Sequence, residues 1–145
     1  MKFLNGLQPL GSLALRVALA LIFVYHGYPK FAHSSGDMRQ FFVMHGFPAY
    51  FLIVAGVLEF FGGLLLVIGL FTRPAALLLA IEMGVAIWKV HSGHGILAVK
   101  DYEFPLALCA ANFALATVGA GVISLDYLVL GQGGTGRRRA KSSKE

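Results

Sequence analysis

Four apolar runs, separated by polar breaks, organise this chain. They extend from about Leu10 to Tyr28, Tyr50 to Leu70, Ala75 to Val90 and Phe104 to Ile123. Each approaches the ~20 residues that an α-helix needs to cross ~30 Å of hydrocarbon. The third is the shortest, and it reaches across only if Lys89 at its end snorkels to the interface. Lipid offers the backbone no hydrogen-bond partner, so a segment that crosses it is helical. The pattern predicts an all-α integral membrane four-helix bundle over residues 1–130, with spans 10–28, 50–70, 75–90 and 104–123.

The breaks carry their own chemistry. Gly69-Leu70-Phe71-Thr72-Arg73-Pro74 reads as a tight turn, with Thr72 capping the third helix and Pro74 in its first turn. The link between Tyr28 and Tyr50 is longer and polar, and its apolar stretch Phe41–Met44 suits a membrane surface. Another link, His91 to Glu103, contains Gly93 and Gly95. Asp126 is placed to cap a short helix through Leu130. Residues 131–145 are Gly-rich and then basic, which predicts a disordered tail. The first run begins like a signal peptide, with Lys2 ahead of it and Ala18-Leu19-Ala20 inside it. Arg16 interrupts that run and three more follow, so it reads as a retained span.

Composition agrees. The chain is 57% hydrophobic and 13% charged, whereas a soluble domain carries about a quarter charged residues. Its mean hydropathy is +0.74. The net charge is +5, and five of the twelve basic residues lie in the tail (Arg137, Arg138, Arg139, Lys141, Lys144). A short basic tail after a membrane span is an orientation signal, not a nucleic-acid footprint. With four spans, Lys2, Arg73 and the tail share one side, and Lys30, Arg39, Lys89 and Lys100 share the other. Seven against four predicts cytoplasmic N- and C-termini in a multi-pass protein of the cell (inner) membrane. Tyr25, Tyr28, Tyr50, Trp88 and Tyr102 would then form an outer aromatic belt. Cys109 is the single cysteine. It excludes an internal disulfide and Cys-x-x-Cys redox chemistry, and it reads as a small core residue.

Ionisable residues within the runs are the informative ones. Arg16, Glu59 and Glu82 fall in the first three, and Asn112 is the polar residue of the fourth. A charge at mid-bilayer costs at least ~2.5 kcal/mol, so it faces the bundle and finds a partner. At 1.5 Å per residue from the cytoplasmic ends, Arg16 lies about 8 Å deep, Glu82 about 12 Å, and Glu59 and Asn112 about 16 Å. Arg16 shares its helix face with Ala20, Phe23 and Gly27, and Glu59 with Ala55, Gly62 and Gly63. Such small residues allow close packing in lipid. The expectation is an inward-facing Arg16–Glu59–Glu82 cluster near Asn112, acting as a proton or ligand site, against the alternative of an ion cluster that only fixes helix pairing. A second group, His26, Lys30, Lys89, His91 and Glu103, with His94 nearby, reads as the polar mouth of the same bundle. The His26/His91 pair and His91-x-x-His94 are weak signals for haem or metal, and neither is predicted. No nucleophile triad, phosphate loop or flavin fingerprint is present.

These positions resemble the DoxX family of small four-helix membrane proteins. The resemblance is carried by Leu15-Arg16, His26-Gly27-x-x-Lys30, Glu59-x-x-Gly62-Gly63, Gly69-Leu70-Phe71-Thr72-Arg73, Glu82, Glu103 and Ser124-Leu125-Asp126, over about residues 10 to 130. It implies a role beside quinone-linked redox complexes. On that basis the expected function is a redox-associated subunit that binds a quinone-like ligand, with Arg16 donating to a quinone oxygen and Glu59 or Glu82 moving the proton. The chain shows no electron carrier of its own, so a redox partner protein is expected; whether the chain is itself catalytic stays open. Two alternatives stand beside this: a non-catalytic anchor or assembly factor, and a small proton-coupled transporter, which four helices could form only as a homo-oligomer.

Overall fold

The computed structural model describes residues 6–33, 35–91 and 98–130. They form six α-helices: α1 (Gln8–Ala32), α2 (Gly36–Met44), α3 (Phe51–Ile68), α4 (Thr72–Ala86), α5 (Val99–Val118) and α6 (Leu125–Leu130). α4 continues directly into a π-helical turn, Ile87–His91. The four long helices close a ring in which α1 packs on α3, α3 on α4, α4 on α5 and α5 on α1. The expected all-α class is observed among the described residues. Two of the helices, α1 and α3, are long and apolar enough to cross a membrane.

The core is built from the inward faces of all four: Leu19 and Phe23 of α1, Leu66 of α3, Leu79 of α4 and Leu115 of α5. Polar side chains lie inside with them, since Arg16, Glu59 and Asn112 are buried. The outer surface is apolar instead. Leu21, Phe61, Ile81 and Phe113, one on each long helix, are each more than half exposed. An apolar exterior around a polar interior is what a bundle surrounded by lipid requires, because ionisable groups there must turn inward.

α1 and α3 approach each other closely at their glycines. A Cβ on Gly27 would lie 2.5 Å from the backbone nitrogen of Phe60 and 2.8 Å from the Gly56 carbonyl oxygen. One on Gly56 would lie 2.6 Å from Lys30 Cβ. Only glycine lets two backbones meet at this distance. The contact also explains why α1 outlasts its expected end at Tyr28. Pro29 removes one backbone donor, but helix α1 runs on to Ala32 and closes with His33 N–H donating to Pro29 O at 3.1 Å. Proline is tolerated in such helices because neighbouring helices hold the chain.

The turn between α3 and α4 is tied down from elsewhere. Gly69 ends α3 in the left-handed region (φ 69°), and Leu70 N–H donates back to Leu65 O at 3.1 Å. Thr72 was expected to cap α4, and it does not. Its hydroxyl oxygen is buried without a hydrogen-bond partner. The cap comes from Asp126, whose carboxylate accepts from Phe71 N–H (2.7 Å) and Thr72 N–H (2.9 Å). The helix that Asp126 was expected to cap, α6, is capped instead by Ser124, whose hydroxyl accepts from Tyr127 N–H at 3.2 Å. The last long helix is shifted towards the N-terminus relative to its apolar run. It begins at Val99, taking in Lys100, Asp101 and Glu103, and stops where Gly119 turns to φ 89°. The tail 131–145 and His94 lie outside the described residues.

Candidate functional site: an apolar cavity with a polar wall

The α1–α3 contact positions the first polar pair. Lys30 stands in the last turn of α1, and helical side chains lean towards the N-terminus of their helix. Lys30 therefore reaches back to Glu59 on α3, with Nζ 2.5 Å from Oε2. The Glu59 side chain is 4% exposed and the Lys30 side chain 23%. An ion pair so far from water is held by its geometry, and removing either partner strands the other. Glu82 of α4 faces the same space, and its Oε2 is buried without a hydrogen-bond partner.

These three side chains line a cavity of about 870 Å³. α3 and α4 leave their turn in contact, with Gly62 set against Leu79, and the cavity opens beyond that point. Its remaining wall is mostly apolar and rich in phenylalanine: Phe41 and Phe42 from α2, Phe47 and Phe51 at the entry to α3, and Phe104 on α5. His26 and Asp37 add polar groups at the edge. A volume of this size, largely apolar with a few convergent polar groups, is that of a small-molecule site.

Arg16 is not part of this site, contrary to the expected Arg16–Glu59–Glu82 cluster. It lies fourteen residues before Lys30, about 21 Å along α1. There its guanidinium donates to four backbone carbonyls: Nε to Leu66 (2.8 Å), one terminal nitrogen to Val67 (2.8 Å), and the other to Ala120 (3.0 Å) and Ile123 (2.6 Å). The last carbonyls of a helix have no partner within it and carry partial negative charge. Two of these at the end of α3, Leu66 O and Val67 O, and two carbonyls of the segment after α5, Ala120 O and Ile123 O, satisfy the buried guanidinium. Depth counted from the helix ends placed Arg16 near Glu59 and Glu82; all three face inward, but Arg16 is anchored at the level of the α3 C-terminus, away from the cavity along the bundle axis.

Asn112 is fully buried but does not line the cavity. Its side-chain nitrogen donates to Leu108 O at 2.8 Å, and its oxygen has no partner. Of the expected outer group, Lys30 belongs to the polar wall. His26 lines the cavity too, with its ring 6.0 Å from that of Phe104. Lys89 is exposed above the cavity, its Nζ 5.1 Å from the Trp88 ring and 6.0 Å from the Phe47 ring. Glu103 is exposed on α5 and does not line the cavity. The side chain of His91 falls outside the described set. Sequence reasoning missed α2 as a wall of the site. It also missed Lys30 as the partner of Glu59, although Lys30 continues the buried face of Arg16, Ala20, Phe23 and Gly27 by one more turn.

Comparison with known proteins places the chain among relatives of similar length. It is 38% identical over 130 residues to an uncharacterised protein of Haemophilus influenzae, covering 87% of this chain and 96% of the relative. It is 32% identical over 126 residues to a Bacillus subtilis protein named "Putative oxidoreductase CatD", covering 87% and 92%. It is 32% identical over 127 residues to the inner membrane protein YphA of Escherichia coli, covering 82% and 90%. No solved structure matches the chain. The DoxX family model matches residues 11–92, more than half of the sequence, and the chain belongs to the DoxX family of membrane proteins.

Proposed function

We propose that this protein crosses the inner membrane four times, with both ends in the cytoplasm, and binds a quinone-like ligand in the cavity lined by α1, α2, α3, α4 and the start of α5. The observation that carries the reading is the cavity itself: about 870 Å³ of mostly apolar wall with Lys30, Glu59 and Glu82 gathered on one part of it. The fit is chemical. An aromatic ring with an isoprenoid tail suits phenylalanine-lined walls, and its ring oxygens need a few fixed polar partners. Lys30 keeps two N–H donors beyond the one given to Glu59, so it takes the donor role that Arg16 was expected to fill. Glu82, with an unpartnered oxygen, is the group that hands on a proton. A quinone carries two electrons and two protons between its oxidised and reduced forms; the electrons come from a redox partner protein. The oxidoreductase in the name of the Bacillus relative supports the same direction. The four-span topology is supported by the exposed apolar residues on every long helix.

The test is binding in lipid nanodiscs, with short-chain ubiquinone and menaquinone analogues titrated against the wild type, Lys30→Met, Glu59→Gln and Glu82→Gln. Saturable binding that weakens about tenfold or more in the polar-wall variants is expected. Binding that none of the three changes, or no binding above protein-free nanodiscs, refutes the reading.

A further inference from the structure

We propose that the cavity is also a binding site for lipophilic cations, with Glu82 as the group that selects for positive charge. The inference goes beyond the quinone reading and stands without it, because it rests on the charge balance and the aromatic content of the wall. Three carboxylates, Asp37, Glu59 and Glu82, line the cavity, and Lys30 is the one lysine or arginine among its described lining residues. Lys30 is committed to Glu59 at 2.5 Å. The wall therefore holds more acid than base, and Glu82 is left with a buried oxygen that accepts nothing. A buried acceptor without a partner is costly, and more so when it belongs to a carboxylate. A ligand cation supplies the missing positive charge.

The rest of the wall suits the same ligand. A cation over an aromatic face is attracted by the ring quadrupole, most strongly where water is excluded. Phe42, Phe47, Phe51 and Phe104 line the cavity, and the Lys89 ammonium lies 6.0 Å from the Phe47 ring centroid. The chemical class that satisfies both features is a quaternary ammonium or phosphonium on an apolar body: the charge goes to Glu82 and the phenylalanine rings, the body to the apolar volume. Anionic amphiphiles are disfavoured by the same inventory.

The experiment uses the full chain in nanodiscs of uncharged phosphatidylcholine, with radiolabelled tetraphenylphosphonium as the probe and protein-free nanodiscs as the blank. Displacement is compared for dodecyltrimethylammonium and for its net-neutral counterpart, dodecyldimethylamine N-oxide. The ammonium is expected to displace at about tenfold lower concentration or less. In Glu82→Gln that preference should fall towards one, while Glu82→Asp keeps most of it. Equal displacement by the two compounds, or an undiminished preference in Glu82→Gln, overturns the proposal. If Glu82→Gln does not fold, the Phe47→Leu/Phe51→Leu variant decides: a drop in preference of about threefold or more is expected, and no drop overturns the proposal. Quinone analogues titrated on the same nanodiscs fail or succeed independently.

Discussion

Replacing Arg16 separates a structural role from a ligand role. Its guanidinium makes four hydrogen bonds, to Leu66, Val67, Ala120 and Ile123 carbonyls. Interhelical polar contacts in membrane proteins are worth ~0.6–1.7 kcal/mol each, so four sum to roughly 2–7 kcal/mol. Arg16→Met removes all four and leaves their carbonyls stranded, so a loss in the upper part of that range is expected. Arg16→Lys keeps the charge but replaces a planar fork with a single nitrogen bearing three donors. It should retain about half and lose roughly 1–4 kcal/mol. The assay is unfolding in mixed micelles by increasing sodium dodecyl sulfate, followed by far-ultraviolet circular dichroism, with ligand binding measured on the folded fraction. The expected result is a large loss of stability in Arg16→Met, an intermediate one in Arg16→Lys, and unchanged affinity in whatever remains folded. Arg16→Met with a stability within ~1 kcal/mol of wild type would refute the argument. So would a folded Arg16→Lys protein that has lost its ligand, since that result would return Arg16 to the cavity.

Three further outcomes are expected. Glu59→Gln leaves Lys30 beside a neutral group and should cost ~3–5 kcal/mol in the same unfolding assay, while the Lys30→Met/Glu59→Gln pair costs less than the sum of the single changes. Gly69→Ala places a Cβ against the Arg16 guanidinium and 2.6 Å from Ser124 Cβ, at a φ of 69°; a loss of ~2 kcal/mol or more should appear, and a neutral result would mean the turn can relax. Asp126→Asn weakens a charged cap on two N–H groups at the start of α4, worth ~1–2 kcal/mol; its effect should show in thermal unfolding and leave ligand binding intact.

Much of this was legible in the sequence, because lipid restricts what an apolar run can become. The long helices overlap the four runs, with the last displaced by five residues towards the N-terminus, and Glu59 and Glu82 were legible as inward-facing since a carboxylate on an apolar helix has nowhere else to go. What failed has a common cause. Arg16 was assigned carboxylate partners because side chains can be read from a sequence, whereas free carbonyls at a helix end are the same whatever residues stand there. Lys30 was assigned to the outer mouth because it lies beyond the apolar run that ends at Tyr28. The glycines that let α1 and α3 touch also keep α1 helical past Pro29, and this contact is a property of two helices together. Asp126 capping α4 joins positions 54 residues apart in the chain, beyond any local pattern.

Different polar bonds secure the two ends of this bundle. At one end, Arg16 and Asp126 tie α1, the end of α3, the start of α4 and the segment after α5 into one knot. Towards the other end, the Lys30–Glu59 pair joins α1 to α3, and within the bundle the Cys109 thiol donates to the Ala80 carbonyl at 3.3 Å, joining α5 to α4. The knot and an α2 that contributes no buried residue set an order: amides near residues 66–72 should exchange with deuterium last and those of α2 first. On the proposed reading, a guest would enter by a local loosening near α2 that leaves the knot intact, so that filling or emptying the site would not disturb the fold.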